Sequence, residues 1–198
     1  MKVDPAAALV GHAVVPGDKS VSHRGVLLGA IGEGETRVLG FGRSADTQST
    51  IDAVRTLGVQ VDDVADDELV VHGVGLRGLR QPESPIDAGN AGTLMRLLPG
   101  ILAGQEGRFE LTGDDSLRAR PMDRVAEPLK RMGARIETTS GRPPVVIEGT
   151  DALKGIEYAL PMASAQVKSA ILLAGLNANG TTTVVERAPN CSRERPGS

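Results

Sequence analysis

Three stretches of this chain read alike: Ser22-His-Arg-Gly-Val-Leu-Leu-Gly-Ala-Ile-Gly-Glu-Gly34, Leu94-Met-Arg-Leu-Leu-Pro-Gly-Ile-Leu-Ala-Gly-Gln-Glu-Gly107 and Val167-Lys-Ser-Ala-Ile-Leu-Leu-Ala-Gly-Leu-Asn-Ala-Asn-Gly180. Each is a largely apolar run of helical length, closed by a glycine suited to a positive-φ helix end. The closing glycines stand at 34, 107 and 180, which is 73 residues apart both times. A β-type run follows each one, at residues 35–39, 108–112 and 181–186. Recurrence at a fixed period is the mark of a repeated supersecondary unit.

The period extends to a second helix. Residues 46–57 close on Gly58 and residues 122–132 close on Gly133, 75 residues later. Short strands are expected after each, at 59–61 and 69–72, then at 134–138 and 145–148. The acidic stretch 62–68 and the polar stretch 139–144 read as hairpin connections. A strand is also expected ahead of each first helix, at 13–15, 84–86 and 157–160. The expected fold class is therefore α/β, built of tandem βαβαββ repeats in units 13–83, 84–156 and 157–198. Two equal spacings with matching internal order favour repetition over chance alternation in a doubly wound sheet. The third unit is incomplete: its second helix is due near residue 192, and the unit is about forty residues short of the other two. The expectation is a fragment, or one half of a larger protein.

Composition narrows the function. The chain has 198 residues, ample length for a core, and a formal charge of −3, so nothing suggests a polyanion-binding surface. Three aromatics, Phe41, Phe109 and Tyr158, leave little to stack bases, which argues against nucleic acid. The single Cys191 forbids an intrachain disulfide and fits a reducing cytosol, hence an expected cytoplasmic location. His12, His23 and His72 lack metal-ligand spacing, and no metal or cofactor is expected. No apolar run approaches the roughly 18 residues of a membrane span.

The loops ahead of the first helices carry the chemistry. In Pro16-Gly-Asp-Lys19-Ser20-Val-Ser-His-Arg24, a Pro-Gly turn delivers Lys19 and Ser20 to a helix start, where unpaired N–H groups and the positive dipole end favour an anion. Ser20 and Arg24 share one helix face, so a cation, a hydroxyl and a guanidinium converge as a phosphate or carboxylate site. A Ser-capped helix with solvated basic residues fits the same letters. Asp87-Ala-Gly89-Asn90-Ala91-Gly92-Thr93 offers two glycines that let backbone amides approach a ligand, with Asn90 or Thr93 able to cap; an ordinary glycine loop is the plainer alternative. Arg96, one turn in, reads as a structural ion pair rather than a ligand contact. In Pro161-Met-Ala-Ser164-Ala165-Gln166-Val-Lys168, Ser164 fits an N-cap and Gln166 the first turn. Arg118-Ala-Arg120-Pro121 places Arg120 beside the start of the second unit's second helix, if Pro121 occupies that helix's first turn. If the units pack about a pseudo-symmetry axis, Lys19, Gly92 and Ser164 gather at one end, electropositive without a metal and suited to a small, multiply charged anion.

Other motifs fail. Lys19-Ser20 is no Walker loop, since Asp18 stands where glycine must precede the lysine. Gly40-Phe-Gly42-Arg-Ser-Ala45 mimics a dinucleotide fingerprint but falls in mid-repeat. The acidic cluster around Asp62 reads as a solvated loop rather than a metal cage.

Four motifs in order, Pro16–Arg24, Asp87–Leu97, Arg118–Met122 and Ser164–Ala170, resemble the N-terminal half of the 5-enolpyruvylshikimate-3-phosphate synthases, from about residue 8 to about residue 193. The resemblance implies one lobe of a two-lobed enzyme, an inside-out α/β barrel of three βαβαββ units about a pseudo-threefold axis, with residues 1–15 belonging with the second lobe and 16–198 forming this one. It implies shikimate 3-phosphate and phosphoenolpyruvate as substrates, closed between the lobes, and a monomer at full length. Carried over by position, Lys19, Ser20, Arg24, Ser164, Ala165, Gln166 and Ser192 match shikimate 3-phosphate contacts. Lys19, Gly92, Arg120 and Gln166 match phosphoenolpyruvate contacts, and Lys19 is the expected catalytic residue. At Ser192 this chain reads Ser-Arg-Glu-Arg-Pro where the family reads Ser-Arg-Asp-His-Thr, and the match dissolves there. The remaining carboxylates and arginines of the family's site lie in the second lobe, so this chain is expected to bind weakly and turn over little. The related UDP-N-acetylglucosamine carboxyvinyl transferases fit less well, for they read Lys-Asn at the first helix and carry a reactive cysteine. A non-catalytic phosphate-binding fragment, or a truncated gene product, is the alternative from another class.

Overall fold

A computed structural model describes residue 12 and residues 15–186. The expected strand at 13–15, the residues 1–11 and Ser192 fall wholly or largely outside the described residues. In chain order the elements are α1 (Lys19–Ile31), β1 (Glu33–Leu39), α2 (Ala45–Thr56), β2 (Gln60–Ala65), β3 (Glu68–Val74), β4 (Ile86–Asp87), α3 (Gly92–Leu102), β5 (Arg108–Thr112), α4 (Asp115–Arg118), α5 (Asp123–Arg131), β6 (Arg135–Thr139), β7 (Arg142–Glu148), β8 (Glu157–Ala159), α6 (Ala165–Gly175) and β9 (Thr183–Val185).

The strands form three sheets, ordered β1-β3-β2, β4-β5-β7-β6 and β8-β9. The first two share one internal order: the strand after the first helix pairs antiparallel with the last strand of a hairpin, whose other arm lies at the edge. The short strand ahead of the first helix pairs parallel with the strand after it in both remaining cases, β4 with β5 and β8 with β9. Parallel pairing here follows from the helix crossover between the two strands.

Helices fill the interior. Ten of the eleven residues of α3 are buried, Arg96 being the exception. A helix that is apolar all round belongs at the centre of a domain, and α3 touches α1, α2, α6, β5 and β7. Its tightest neighbour is α6. A Cβ on Gly100 would lie 2.2 Å from the Ala170 carbonyl oxygen, so the two backbones meet where no side chain fits. Around this crossing lie Leu94, Leu97, Leu98, Ile101, Phe109 and Ile171, all fully or almost fully buried.

Several boundaries differ from the sequence expectations. The periodic glycines 34, 107 and 180 do have positive φ, but they sit at or before strand starts; α1 ends three residues earlier, at Ile31. Gly58 and Gly133 do follow their helices directly, at φ 91° and 95°. The acidic stretch 62–68 is mostly strand: β2 runs to Ala65 and turns at Asp66-Asp67, because its carboxylates face outward, Asp63 to Arg43 and Arg55 and Asp62 to the His72 ring. Likewise β6 and β7 run to a turn at Ser140-Gly141. A one-turn helix, α4, intervenes before α5. It uses up residues 115–118, and the Met122 N–H donates to the Gly141 carbonyl, so α5 starts at Asp123 and Pro121 lies outside its first turn.

Candidate functional site

The three first helices begin at one end of the molecule. Asp18 caps α1: its carboxylate accepts from the Val21 N–H at 2.7 Å. The expectation of an open α1 start is corrected accordingly, for the chain supplies its own anion there. Ser22 Oγ donates to the Asp18 carbonyl at 2.8 Å and accepts from the Gly42 N–H at 2.9 Å, which seals the Gly17 turn against the loop before α2. Ser164 caps α6 as expected, accepting from the Val167 N–H at 3.3 Å. The start of α3 has no side-chain cap at all, contrary to the expectation for Asn90 or Thr93. Both side chains are engaged elsewhere, which leaves that helix start open to an outside anion.

Successive contacts link these starts into a closed circuit. Lys19 Nζ pairs with Asp46 Oδ2 at 2.8 Å in the first turn of α2. Ser49, one turn along α2, has its Oγ 3.0 Å from where a Cβ on Gly89 would stand. Asn90 Nδ2 donates to Asp114 Oδ2 at 2.8 Å, and Asn90 Oδ1 accepts from Arg120 Nη2 at 2.6 Å. A Cβ on Gly92 would lie 2.9 Å from guanidinium nitrogens of both Arg120 and Arg96, so these arginines lie over the start of α3. Gln166 Nε2 donates to Thr93 Oγ1 at 3.2 Å, joining α6 to α3. Arg24 closes the circuit, donating to Ser169 Oγ on α6 at 3.1 Å and to the Ser20 carbonyl at 2.9 Å. Lys19, Ser20, Arg24, Gly92, Arg120, Ser164, Ala165 and Gln166 thus lie along one rim, on α1, at the start of α3, just after α4 and at the start of α6. Lys19, Ser20 and Ala165 are exposed, while Arg24, Arg120, Ser164 and Gln166 are half-buried.

The rim is cation-rich. Burial chiefly, and then the neighbouring Arg120 and Arg124, hold the Arg96 pKa below its ordinary value. Arg96 forms no ion pair among the described residues and donates to the Gly92 carbonyl at 3.1 Å, so the expected structural pair is replaced by a bond to its own helix. The Leu117 N–H and Asn90 hold the Asp114 carboxyl below its usual range, so Asp114 stays ionised and steadies Asn90 beneath Arg120. Beside Lys19, His23 is fully buried, and burial lowers its pKa to about 4 against the opposing pull of Asp46. Among the described residues no group of three or more His, Cys, Asp or Glu could hold a metal, and no helix is long and apolar enough to cross a membrane.

Sequence reasoning missed the partners more than the principals. Nothing in the sequence singles out Asp46, Ser169 or Thr50, and Asn90 and Thr93 read there as possible caps. Asp46 is visible only as an acid in a first helical turn; no local signal reveals Ser169, because its partner is 145 residues away.

A sequence model of the EPSP synthase (3-phosphoshikimate 1-carboxyvinyltransferase) family matches residues 3–195. The chain belongs to that family. It is 53% identical over 189 residues to the 3-phosphoshikimate 1-carboxyvinyltransferase of Hydrogenovibrio crunogenus, covering 95% of this chain and 42% of that protein. The enzyme of the same name from Nitrosococcus oceani is 55% identical over 188 residues, covering 94% and 42%. Among solved structures, EPSP synthase from Acinetobacter baumannii superposes with a TM-score of 0.87 at 54% identity, over 90% of this chain and 41% of that one. The chain therefore spans less than half the length of the relatives it matches.

Proposed function

We propose that this chain forms the N-terminal lobe of an enzyme that transfers the carboxyvinyl group of phosphoenolpyruvate to the 5-hydroxyl of shikimate 3-phosphate, in aromatic amino acid biosynthesis in the cytoplasm. The observation that carries the reading is the circuit of contacts joining three helix starts from three units into one cationic rim. Ser20, Arg24, Ser164, Ala165 through its backbone, and Gln166 bind shikimate 3-phosphate, and Ser192 extends that set. Gly92 and Arg120 receive phosphoenolpyruvate at the uncapped start of α3, and Lys19 and Gln166 serve both substrates. Gly92 suits the role because any side chain there would push the two arginines aside.

In the reaction the 5-hydroxyl gives its proton to a base as its oxygen attacks the phosphate-bearing carbon of phosphoenolpyruvate, while the methylene takes up a proton from an acid. Phosphate then leaves, and the methyl group returns a proton to restore the double bond. Lys19 is the proton-transfer group on this side, and Lys19 and Arg120 neutralise the carboxylate and the phosphate as the carbon–oxygen bond to phosphate breaks and its electron pair leaves with the phosphate. The other acid and base groups come from a second lobe, beyond the part of the family represented here.

The finer architecture of the lobe, three units about a pseudo-threefold axis, draws support from the equal strand orders and from the helix packing. The second helix of each complete unit packs on the first helix of the next unit: α2 on α3, and α5 on α6. Continued around the axis, the second helix of the third unit would fall between α6 and α1. A shallow groove lies there, lined by Leu27, Leu28, Leu172 and Leu173.

Calorimetric titration with shikimate 3-phosphate tests the substrate assignment, and mixing with the C-terminal remainder of the Nitrosococcus oceani relative tests the reaction. Saturable binding with turnover only in the mixture is expected. No binding even in the mixture would refute the reading; binding without turnover in the mixture would favour a phosphate-binding fragment.

A further inference from the structure

The interface between α1 and α2 is a two-rung polar ladder. On α1, Lys19 and His23 are one turn apart on the same face; on α2, Asp46 and Thr50 are likewise one turn apart. Lys19 Nζ meets Asp46 Oδ2 at 2.8 Å, and His23 Nδ1 meets Thr50 Oγ1 at 2.6 Å, both across 27 residues of chain. The outer rung is charged and reaches solvent, with the Lys19 side chain 54% exposed. The inner rung is wholly buried: His23 and Thr50 are both 0% exposed.

The inner rung is costly to keep. His23 Nε2 is buried with no hydrogen-bond partner among the described residues. A buried polar atom without a partner is unfavourable, and an apolar side chain of similar volume would pack there without that cost. What an apolar residue cannot do is fix register. Apolar surfaces slide over one another at little cost, whereas one short directional bond in a low-dielectric interior sets both the axial offset and the rotation of two helices. Below this rung, the Ser22 bond to the Gly42 N–H ties the loop before α2 to the first turn of α1. The two ties, at successive residues of α1, lie within about one turn of Lys19.

We propose that His23, held by Thr50, is a positioning residue: the buried rung sets the register of α1 on α2 and thereby the location of the Lys19 ammonium at the rim. Its consequence for ligand binding rests on the function proposed above; its consequence for Lys19 itself does not. Thr50→Val removes the hydroxyl and keeps the shape. His23→Asn keeps a polar atom able to meet Thr50, and Thr50→Ser keeps the hydroxyl.

The experiment reads two quantities on the whole chain. The first is the acylation rate of Lys19 by a small amine-reactive ester, mapped by mass spectrometry, with Lys130 and Lys154 as internal references. The second is the dissociation constant for shikimate 3-phosphate. Thr50→Val is expected to raise the Lys19 rate several-fold without changing the references, and to weaken binding by about tenfold. Thr50→Ser and His23→Asn are expected to stay close to the parent in both. If Thr50→Val stays folded with unaltered Lys19 reactivity, and only its melting temperature falls, the rung is merely structural and the inference is overturned. Should Thr50→Val fail to fold, equal Lys19 rates in His23→Asn, His23→Met and the parent would overturn it equally. Failure of the parent to bind shikimate 3-phosphate strikes the proposed function alone, because the acylation rates still decide the role of His23.

Discussion

Replacing Lys19 by Met separates binding from stability. In the free protein Lys19 is half-exposed and its only ion pair among the described residues is with Asp46, a quarter exposed. An exposed pair of this kind contributes about 0–1 kcal/mol, since solvent screens it and two side chains lose freedom. Methionine keeps the aliphatic stem and suits a first helical turn as well as lysine does. The melting temperature should therefore fall by no more than about 2–4 °C, which is what about 1 kcal/mol amounts to in a chain of this length. Binding should respond far more. A hydrogen bond from an ammonium to phosphate is worth about 1.5–3 kcal/mol, equivalent to a loss of affinity of about ten- to a hundredfold. The assay is calorimetric titration with shikimate 3-phosphate at fixed, moderate ionic strength, because added salt narrows the difference. An unchanged dissociation constant in a folded Lys19→Met variant would refute the reasoning, and so would a variant that no longer folds.

Three further outcomes are expected. Gly92→Ala should keep the fold, because the obstructing atoms are the far ends of Arg96 and Arg120, yet displace both guanidinium groups; thermal melts within about 1 kcal/mol of the parent, with weaker binding of phosphoenolpyruvate in the shikimate 3-phosphate complex, would bear this out. Gly100→Val should be severe, since the obstruction is the Ala170 backbone, fixed inside the α3–α6 crossing; loss of the cooperative melt by circular dichroism is the readout. His23 predicts a dependence on pH. Its folded pKa of about 4 lies below the ordinary 6.5, so the unfolded chain takes up a proton that the folded chain refuses. Its share of stability is complete above pH 6.5 and is lost as pH falls towards 4. That share is about 3 kcal/mol, and the stability of His23→Asn, read from urea melts across this window, should depend less steeply on pH than that of the parent.

Much of this fold is legible because the repeat is written in residues with strong local preferences. The apolar runs after Ser22, before Gly107 and before Gly180 can bury themselves only as helices, and the recurrence of Gly58 as Gly133 marks two second helices. Ser164 is legible as a cap because capping is a matter between neighbours. Local chemistry misleads where partners are remote. Asp18 takes the cap of α1 while Lys19 and Ser20 draw the eye, and Asn90 and Thr93 abandon their own helix start for Arg120 and Gln166. The acidic stretch after Asp62 looks like a loop because its strand character depends on pairing with β3 and on partners from Arg43, Arg55 and His72. The rim itself is foreseen only as a consequence of repetition; which side chains bridge one unit to another is decided by tertiary packing.

Amide chemical-shift mapping during titration with shikimate 3-phosphate tests the central claim most directly. A single anion site predicts that the amides of residues 19–24, 90–93 and 164–166 shift together, with one common dissociation constant. Shifts confined to one of these segments, or clustered away from all three, would contradict it.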